Sequence, residues 1–470
     1  MSSKTAFYRL GDLTDWFSGG TPSKKNPECW GDEIPWISAS SMGGSRYSNS
    51  DLKITKLGLE SGSRLALKGS ILLLVRGSTL HNRIPVGIAV RDVAFNQDVK
   101  AIRVKPELAA RQVTDEMYLY YWLKANEKKL LEMVEHTGIG AGKLDTKRLQ
   151  DLEIRLPSWS EQRQIVASAT AIDEKEILNS CINQTLERMA QAIFKSWFVD
   201  FEPVKAKIAA LEAGGSEEDA LLAAMQAISG KGEAELTRLQ AEQPEQYAEL
   251  RATAELFPSA MQDSELGEIP EGWYLSTIGD EVTVVGGGTP STKNPAFWDD
   301  GQISWTSPKD LSNLPDKVLV RTERKITEAG LAKISSGLLP VDTVLMSSRA
   351  PVGYLALAKI PLAVNQGYIA MKCEKVLTAA FVIQWCQAHM EEIKNRASGT
   401  TFAEISKKSF NVIPVLTPTE GAISAYTKLA SKLYNVIESN IREAHSLSEL
   451  RDILLPQLLS GKLTIADAEE

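Results

Sequence analysis

The sequence contains one stretch twice. Residues 19–36 read GGTPSKKNPECWGDEIPW, and residues 287–305 read GGTPSTKNPAFWDDGQISW. Gly19, Gly20, Thr21, Pro22 and Ser23 recur as Gly287, Gly288, Thr289, Pro290 and Ser291 with no gap. Lys25-Asn26-Pro27 recurs as Lys293-Asn294-Pro295, and Trp30 and Trp36 recur as Trp298 and Trp305. A repeat constrains the fold before any local pattern does. Around it, Gly11-Asp12 matches Gly279-Asp280 and Asn96-Gln97 matches Asn365-Gln366. Arg76 followed by Pro85-Val86-Gly87 matches Arg349 followed by Pro351-Val352-Gly353, and Gly138, Lys147 and Pro157 match Gly399, Lys408 and Pro418. Each copy is about 150 residues, a domain rather than a solenoid unit.

Within 1–157, apolar runs such as Ile71–Val75 alternate with turns rich in Gly, Pro, Ser and Asn, which predicts a mixed α/β domain. A helix is expected over Asp115–Glu135, with its counterpart over Leu377–Asn395. Beyond Pro157, Ser160-Glu161-Gln162 offers a helix start, and neither Pro nor Gly follows until Pro203. Ile182, Leu186, Met189, Ile193 and Trp197 are spaced as one apolar stripe. After Pro418, Leu429, Leu433, Val436, Leu447, Leu450 and Leu454 do the same, with Asn440 inside the stripe. Each stripe needs a partner, and the economical pairing is with the other; a polar Asn on such a seam fixes register at a cost in stability. The expected order is therefore an α/β (α+β) domain at 1–157, a long helix at 158–202, an acidic Ala/Glu-rich helical insertion at 203–262, a second domain at 263–417, and a second long helix with its tail at 418–470.

The net charge of −8 is unevenly spread. Residues 1–157 carry 23 basic and 18 acidic side chains, residues 203–262 carry 5 and 10, and residues 268–418 carry 15 of each. The acidity lies outside the repeats, so either copy can still present a basic face. Cys29, Cys181, Cys373 and Cys386 form no CxxC pair, which points to reduced thiols and a cytoplasmic chain without a zinc site. The N-terminal residues have no apolar core of a signal peptide, and no run is long enough to span a membrane.

The fragments that flank the domains carry a family resemblance. The first helix opens Leu156-Pro157-x-x-x-Glu161-Gln162-x-x-Ile165 and ends Trp197-Phe198-Val199-Asp200-Phe201. The second copy opens Asp263-Ser264-Glu265-Leu266-Gly267-Glu268-Ile269-Pro270-Glu271-Gly272-Trp273, and the last helix ends Leu454-Leu455-Pro456-Gln457-Leu458-Leu459-Ser460-Gly461-Lys462-Leu463. In this order they resemble the DNA-specificity subunits of type I restriction–modification systems. The resemblance implies two target-recognition domains, each reading half of a split double-stranded DNA sequence, and an antiparallel coiled coil as spacer. It implies two modification (methyltransferase) subunits and restriction subunits as partners, with S-adenosylmethionine, ATP and Mg held by them and none by this chain. The second helix opens Pro418-Thr419-Glu420-Gly421 and lacks the Glu-Gln-x-x-Ile of the first.

Candidate DNA contacts follow from residue chemistry. Thr21, Ser23 and Lys25, with Thr289, Ser291 and Lys293, offer hydroxyls and charge suited to phosphate. Their recurrence in both copies favours a shared scaffold, and Trp30 and Trp298 read as core. Arg76 and Arg349 close a strand-like run and could pair with guanine or clamp phosphate, or form surface ion pairs. Arg83, Lys147 and Lys408 add basic charge near them. The loop His136–Lys143 lacks Walker spacing, because Leu144 stands where Ser or Thr is required. Lys143, and Thr400 and Thr401 in the matched loop of the second copy, are better suited to base readout, since that loop differs between copies. Asn96-Gln97 and Asn365-Gln366 read as structural turns. His81, His136, His389 and His445 have no metal spacing. The rival readings are a stand-alone DNA methyltransferase or nuclease, and a duplicated scaffold or ligand-binding protein.

Overall fold

The computed structural model describes residues 6–137, 140–265, 267–312, 314–399 and 403–464. It divides into two compact units, residues 1–176 with 445–470, and residues 177–444. The division falls inside both long helices rather than at their ends, so each unit is one domain plus a segment of each helix.

In the first unit the strand Ala6–Arg9 pairs antiparallel with Glu153–Leu156, tying the domain's entrance to its exit. The main sheet has five strands in the order Thr14–Ser18, Val99–Val104, Ile71–Leu74, Val86–Ala89 and Arg46–Tyr47. All pairs are antiparallel except the last. Ile71–Leu74 is apolar throughout because every residue in it is buried. A smaller sheet joins Trp30–Ile37 to Lys53–Ile54 on one side and to Val93–Phe95 and Arg64–Ala66 on the other. The helix Glu116–Ala125, capped by Asp115, buries Tyr118, Tyr120, Tyr121 and Trp122. It is shorter than the sequence predicts. Asn126 turns its amide back to the Trp122 carbonyl, a second helix runs Glu127–Leu131, and Glu135 already belongs to a strand.

The second unit repeats this topology. Its five strands are Thr283–Val285, Tyr368–Lys372, Val344–Ser347, Leu355–Ala358 and Val318–Leu319, with the same sequence of antiparallel and parallel pairs. Tyr274–Thr277 pairs with Pro414–Thr417 as the closing strands. One sequence match does not survive. Leu73 faces Val86 and Met346 faces Leu355, so Val86 corresponds to Leu355 and not to Val352. Gly87 lies within a strand, whereas Gly353 sits at a positive φ of 105° in the preceding turn.

The long helices run Trp159–Phe198 and Glu420–Ser460, 40 and 41 residues. The first is capped by Ser158, not Ser160: Ser158 Oγ accepts from the Glu161 amide while the Glu161 carboxylate accepts from the Ser158 N–H at 2.8 Å. Thr419 starts the second, its hydroxyl accepting from the Ala422 amide at 3.3 Å. Within each unit the two helices run antiparallel. In the first, Arg451 meets Asp173; in the second, Asn179 donates to Glu443, Asn440 donates to Asn183, and Tyr426 donates to the Ala190 carbonyl.

The seam is not the stripe that the apolar spacing predicts. Ile182, Met189 and Leu450 are exposed, as is Val436, while Leu186, Ile193, Leu433, Leu447 and Leu454 are only half-buried. The inner line of the first helix is Asn179, Asn183, Ala190, Phe194 and Trp197, facing Tyr426, Ala430, Tyr434 and Ile437 of the second. Asn440 is on the seam as expected, bonded to Asn183 at 2.9 Å. Asn183 also donates to Asp316 of the second domain, and Glu187 accepts from Lys317 and Gln384. The helix thus uses its polar face against the domain, which counting apolar residues cannot reveal. Burial pushes the Asp316 carboxyl up, and the Asn183 amide partly offsets that.

The segment expected at 203–262 is built of four helices that begin one residue earlier, Glu202–Glu212, Glu217–Ser229, Glu233–Glu242 and Pro244–Glu255. They share a small core of Leu221, Ala224, Met225, Leu236 and Ala254. The module is anchored at its base, where Lys207 donates to the Phe257 carbonyl and Phe257 packs edge-on against Trp197 at 5.1 Å.

Candidate nucleic-acid interface

The Gly-Gly-Thr-Pro stretch builds the same frame in both domains. Trp36 Nε1 donates to the Gly20 carbonyl at 3.1 Å, and Trp305 Nε1 donates to Gly288 at 3.1 Å. Trp30 and Trp298 donate to the Ser23 and Ser291 carbonyls and pack edge-on against Trp36 and Trp305 respectively. A Cβ on Gly19 or Gly287 would fall 2.1 or 1.9 Å from a carbonyl oxygen of Phe95 or Val364, so glycine is required there. Thr21 donates to Gln97 Oε1 at 2.8 Å, and Thr289 donates to Gln366 Oε1 at 2.7 Å. The Thr hydroxyls and the Ser23 and Ser291 carbonyls therefore already have partners inside the frame. Ser23, Lys25, Ser291 and Lys293 have exposed side chains on it.

That frame leads to the end of the central strand. The Val75 amide donates to the Asp98 carbonyl, one residue past Gln97, and the Leu144 amide donates to the Val75 carbonyl. In the second domain Ser348 donates to Gly367 and Ile405 donates to Ser348. These bonds make Val75 equivalent to Ser348, Arg76 to Arg349, and Leu144 to Ile405. Thr21, Arg76 and Lys143 are thereby gathered at one end of the first sheet, and Thr289 and Arg349 at the same end of the second.

The two domains then diverge. In the first, Arg76–Gly77 pairs with Ala141–Lys143, which pairs in turn with Glu135–Thr137 to form a three-stranded ribbon. Arg76 stands directly opposite Lys143. The Glu135 carboxylate across from them is engaged by Arg148 at 3.5 Å. In the second, single bridges join Glu404 to Arg349 and to Ser398, and the Arg349 guanidinium lies 3.7 Å from the Glu404 carboxylate. Glu404 thus takes the place of Lys143. Arg83 is exposed, its guanidinium 3.4 Å from the Met42 carbonyl. Lys147 and Lys408 are exposed in the equivalent short helices Thr146–Gln150 and Lys407–Asn411. Thr400 and Thr401 lie outside the described residues, as does Gly138.

Sequence reasoning passed over His81, Asn82 and His136. The available signal was a length difference: nine residues separate Arg76 from Val86, and five separate Arg349 from Leu355. Among the described residues no group of three or more His, Cys, Asp or Glu side chains is placed to hold a metal ion, and no helix is long and apolar enough to cross a membrane.

A chain with two copies of one α+β domain, alike in frame and unlike in ribbon, belongs to the class of internally duplicated recognition proteins. The profile of the type I restriction modification DNA specificity domain matches residues 2–188 and 270–443. The chain belongs to that family. It is 33% identical over 356 residues to the HindI type I restriction enzyme specificity subunit of Haemophilus influenzae, covering 74% of this chain and 77% of that one. It is 32% identical over 191 residues to the MjaIX specificity subunit of Methanocaldococcus jannaschii, covering 40% and 44% of the two chains. A crystal structure of the type I S subunit from M. genitalium aligns over 97% of this chain and 96% of that one, with 15% identity and a TM-score of 0.48.

Proposed function

We propose that this chain recognises a bipartite double-stranded DNA sequence as the specificity subunit of a type I restriction–modification complex, each domain reading one half. The observation that carries this is the duplication itself: the same five-stranded sheet order and tryptophan frame in the two domains, with different side chains on the ribbon at the sheet end. A shared frame suits a common docking geometry, and differing ribbons suit two different half-sites. Two modification subunits bind along the paired helices and supply adenine methylation, with S-adenosylmethionine held by them; restriction subunits supply ATP- and Mg-dependent cleavage. This chain contributes binding and orientation and no bond-breaking step. Basic groups such as Lys25, Arg76, Lys143, Lys147, Lys293 and Lys408 meet phosphates, so affinity falls steeply with salt.

The test is a domain exchange. Replacing residues 1–157 with the matching domain of a relative, and mapping methylated adenines in cells expressing the whole system, should change one half of the target and leave the other. A change in both halves would sink the modular reading. Incubating the purified chain with DNA and labelled S-adenosylmethionine should give no transfer until modification subunits are added; transfer by the chain alone would favour an enzyme instead.

The acidic module has a separate expectation. Residues 203–262 carry a net charge of −5 and would be repelled by phosphate. Replacing residues 214–251 with a flexible glycine-serine linker keeps Lys207, Phe257 and their anchor, and should leave the methylated sequence unchanged. An altered target would place this module at the DNA.

A further inference from the structure

The nine residues between Arg76 and Val86 form a built element where the second domain has only the five residues 350–354. Ser78–His81 make a short 3-10 turn. Leu80, Ile84 and Pro85 are buried, while His81, Asn82 and Arg83 are exposed. Three contacts seat this insert on the ribbon. A Cβ on Gly142 would lie 2.9 Å from the Leu80 Cβ, so glycine in the ribbon is what lets Leu80 settle over it. The His81 ring Nε2 is 3.1 Å from the Gly140 carbonyl oxygen. The His81 and His136 rings are stacked, with centroids 4.9 Å apart and planes within 9°. Both imidazoles nonetheless remain exposed. In the second domain the position of Gly142 is held by Ala403, which is exposed.

The charge pattern points the same way. Like charges directly opposite one another in a ribbon are destabilising, yet Arg76 faces Lys143, and the carboxylate on the other side of Lys143, Glu135, is engaged by Arg148. An anion lying across the pair would relieve that repulsion, and a DNA phosphate is such an anion. In the second domain Arg349 and Glu404 neutralise each other instead.

We propose that the insert 77–85 and the ribbon of Glu135–Thr137 and Ala141–Lys143 form a base-reading knob specific to the first domain. Its readers are His81, Asn82, Arg83 and His136, and Arg76 with Lys143 clamps the adjoining phosphate. This rests on the DNA-specificity reading above. Asn and Arg are the side chains that pair bidentately with adenine and guanine in the major groove, and stacking holds the imidazoles in fixed positions beside them. The knob reaches only the half-site of the first domain. Among the described residues the second domain has no such insert, and it draws less of its affinity from phosphate at this position.

The experiment uses the intact chain with its modification subunits, in cells and as purified complex. Asn82→Ala, Arg83→Ala and the double variant His81→Ala with His136→Ala should each relax the methylated sequence at positions of one half only. Discrimination at the affected base pair should fall by roughly five- to hundredfold. The other half, read in the same molecules, shows that the complex is folded. Arg76→Ala and Lys143→Ala should each lower the slope of log affinity against log salt by about one without altering the sequence, and Arg349→Ala should lower it less. Knob variants that keep full discrimination, or that lose discrimination in both halves, overturn the proposal. If the unaltered complex methylates no bipartite sequence, the specificity reading itself has failed.

Discussion

Arg451→Met should destabilise the first unit by about 3–5 kcal/mol, because it strips the cation from the buried Asp173 carboxylate, which cannot follow it into water, and from the half-buried Glu176. Arg451 and Asp173 are each only 8% exposed, and their Nη1 and Oδ1 atoms lie 2.7 Å apart. The same nitrogen is 3.4 Å from Glu176, and the other donates to Ser448 at 2.8 Å. The second oxygen of Asp173 accepts from the Tyr121 hydroxyl at 3.0 Å, with Lys124 3.6 Å from its Oδ1. The Arg451 guanidinium therefore joins the second long helix to the first, and the Asp173 carboxylate joins the first to the aromatic helix Glu116–Ala125. Burial pushes the Glu176 carboxyl up, which the Arg451 charge partly offsets, and pushes the Lys124 amine down, which the Asp173 carboxylate partly offsets. Urea titration read by hydrogen exchange in residues 116–125 measures the loss. A shift below about 1 kcal/mol would mean that the carboxylates regain solvent when the cation goes. Adding Asp173→Leu and Glu176→Gln to Arg451→Met should recover part of the stability, since an apolar replacement of a buried ionic cluster is often tolerated.

This cluster also shows which parts of the molecule were readable in advance. The duplication, the domain class, the long helices and their pairing all rest on Gly, Pro, Trp and unbroken helical segments, which act locally. Asn440 was readable as a seam residue because it interrupts an apolar line. Arg451, Asp173 and Asn183 were not, because a charged or amide side chain in a helix ordinarily marks the solvent face. Here those groups face inward and satisfy one another, so the apolar pattern selected Ile182 and Met189, which are exposed. At the candidate interface, Arg76 was singled out by the strand-like run it closes, Lys143 by a loop that differs between the copies, and Arg83 by its charge. Their relation could not be seen, because it depends on pairing Arg76 with Lys143 across 67 positions of sequence. The Pro-Val-Gly match misled for a similar reason: Val86 and Gly87 begin a strand in one domain, while Val352 and Gly353 lie in a turn in the other.

A heptad inserted into both long helices, between Glu176 and Ile177 and between Ala444 and His445, should keep both half-sequences of the DNA target and lengthen the unread spacer between them. These are the points where the two compact units divide. The Arg451 cluster lies wholly within the first unit, and the Asn183–Asn440–Asp316 group wholly within the second. Insertion at the division leaves both intact, whereas insertion beside Asn183 and Asn440 would break the contacts to Asp316 and Lys317. Seven residues are two turns of a coiled coil, so the seam continues in register. They add about 10 Å to each helix at 1.5 Å per residue, which is roughly three base pairs at 3.4 Å each. Five residues inserted at the same two points would add a net rotation of about 140° to each helix, turning the inner line away from its partner. That variant should lose methylation activity although each domain keeps its own core. Adenine methylation mapped across a genome reads both outcomes. A heptad variant that stays active with an unchanged spacer would show that distance along these helices does not set the separation of the half-sites. An active five-residue variant would show that the helices need no continuous seam.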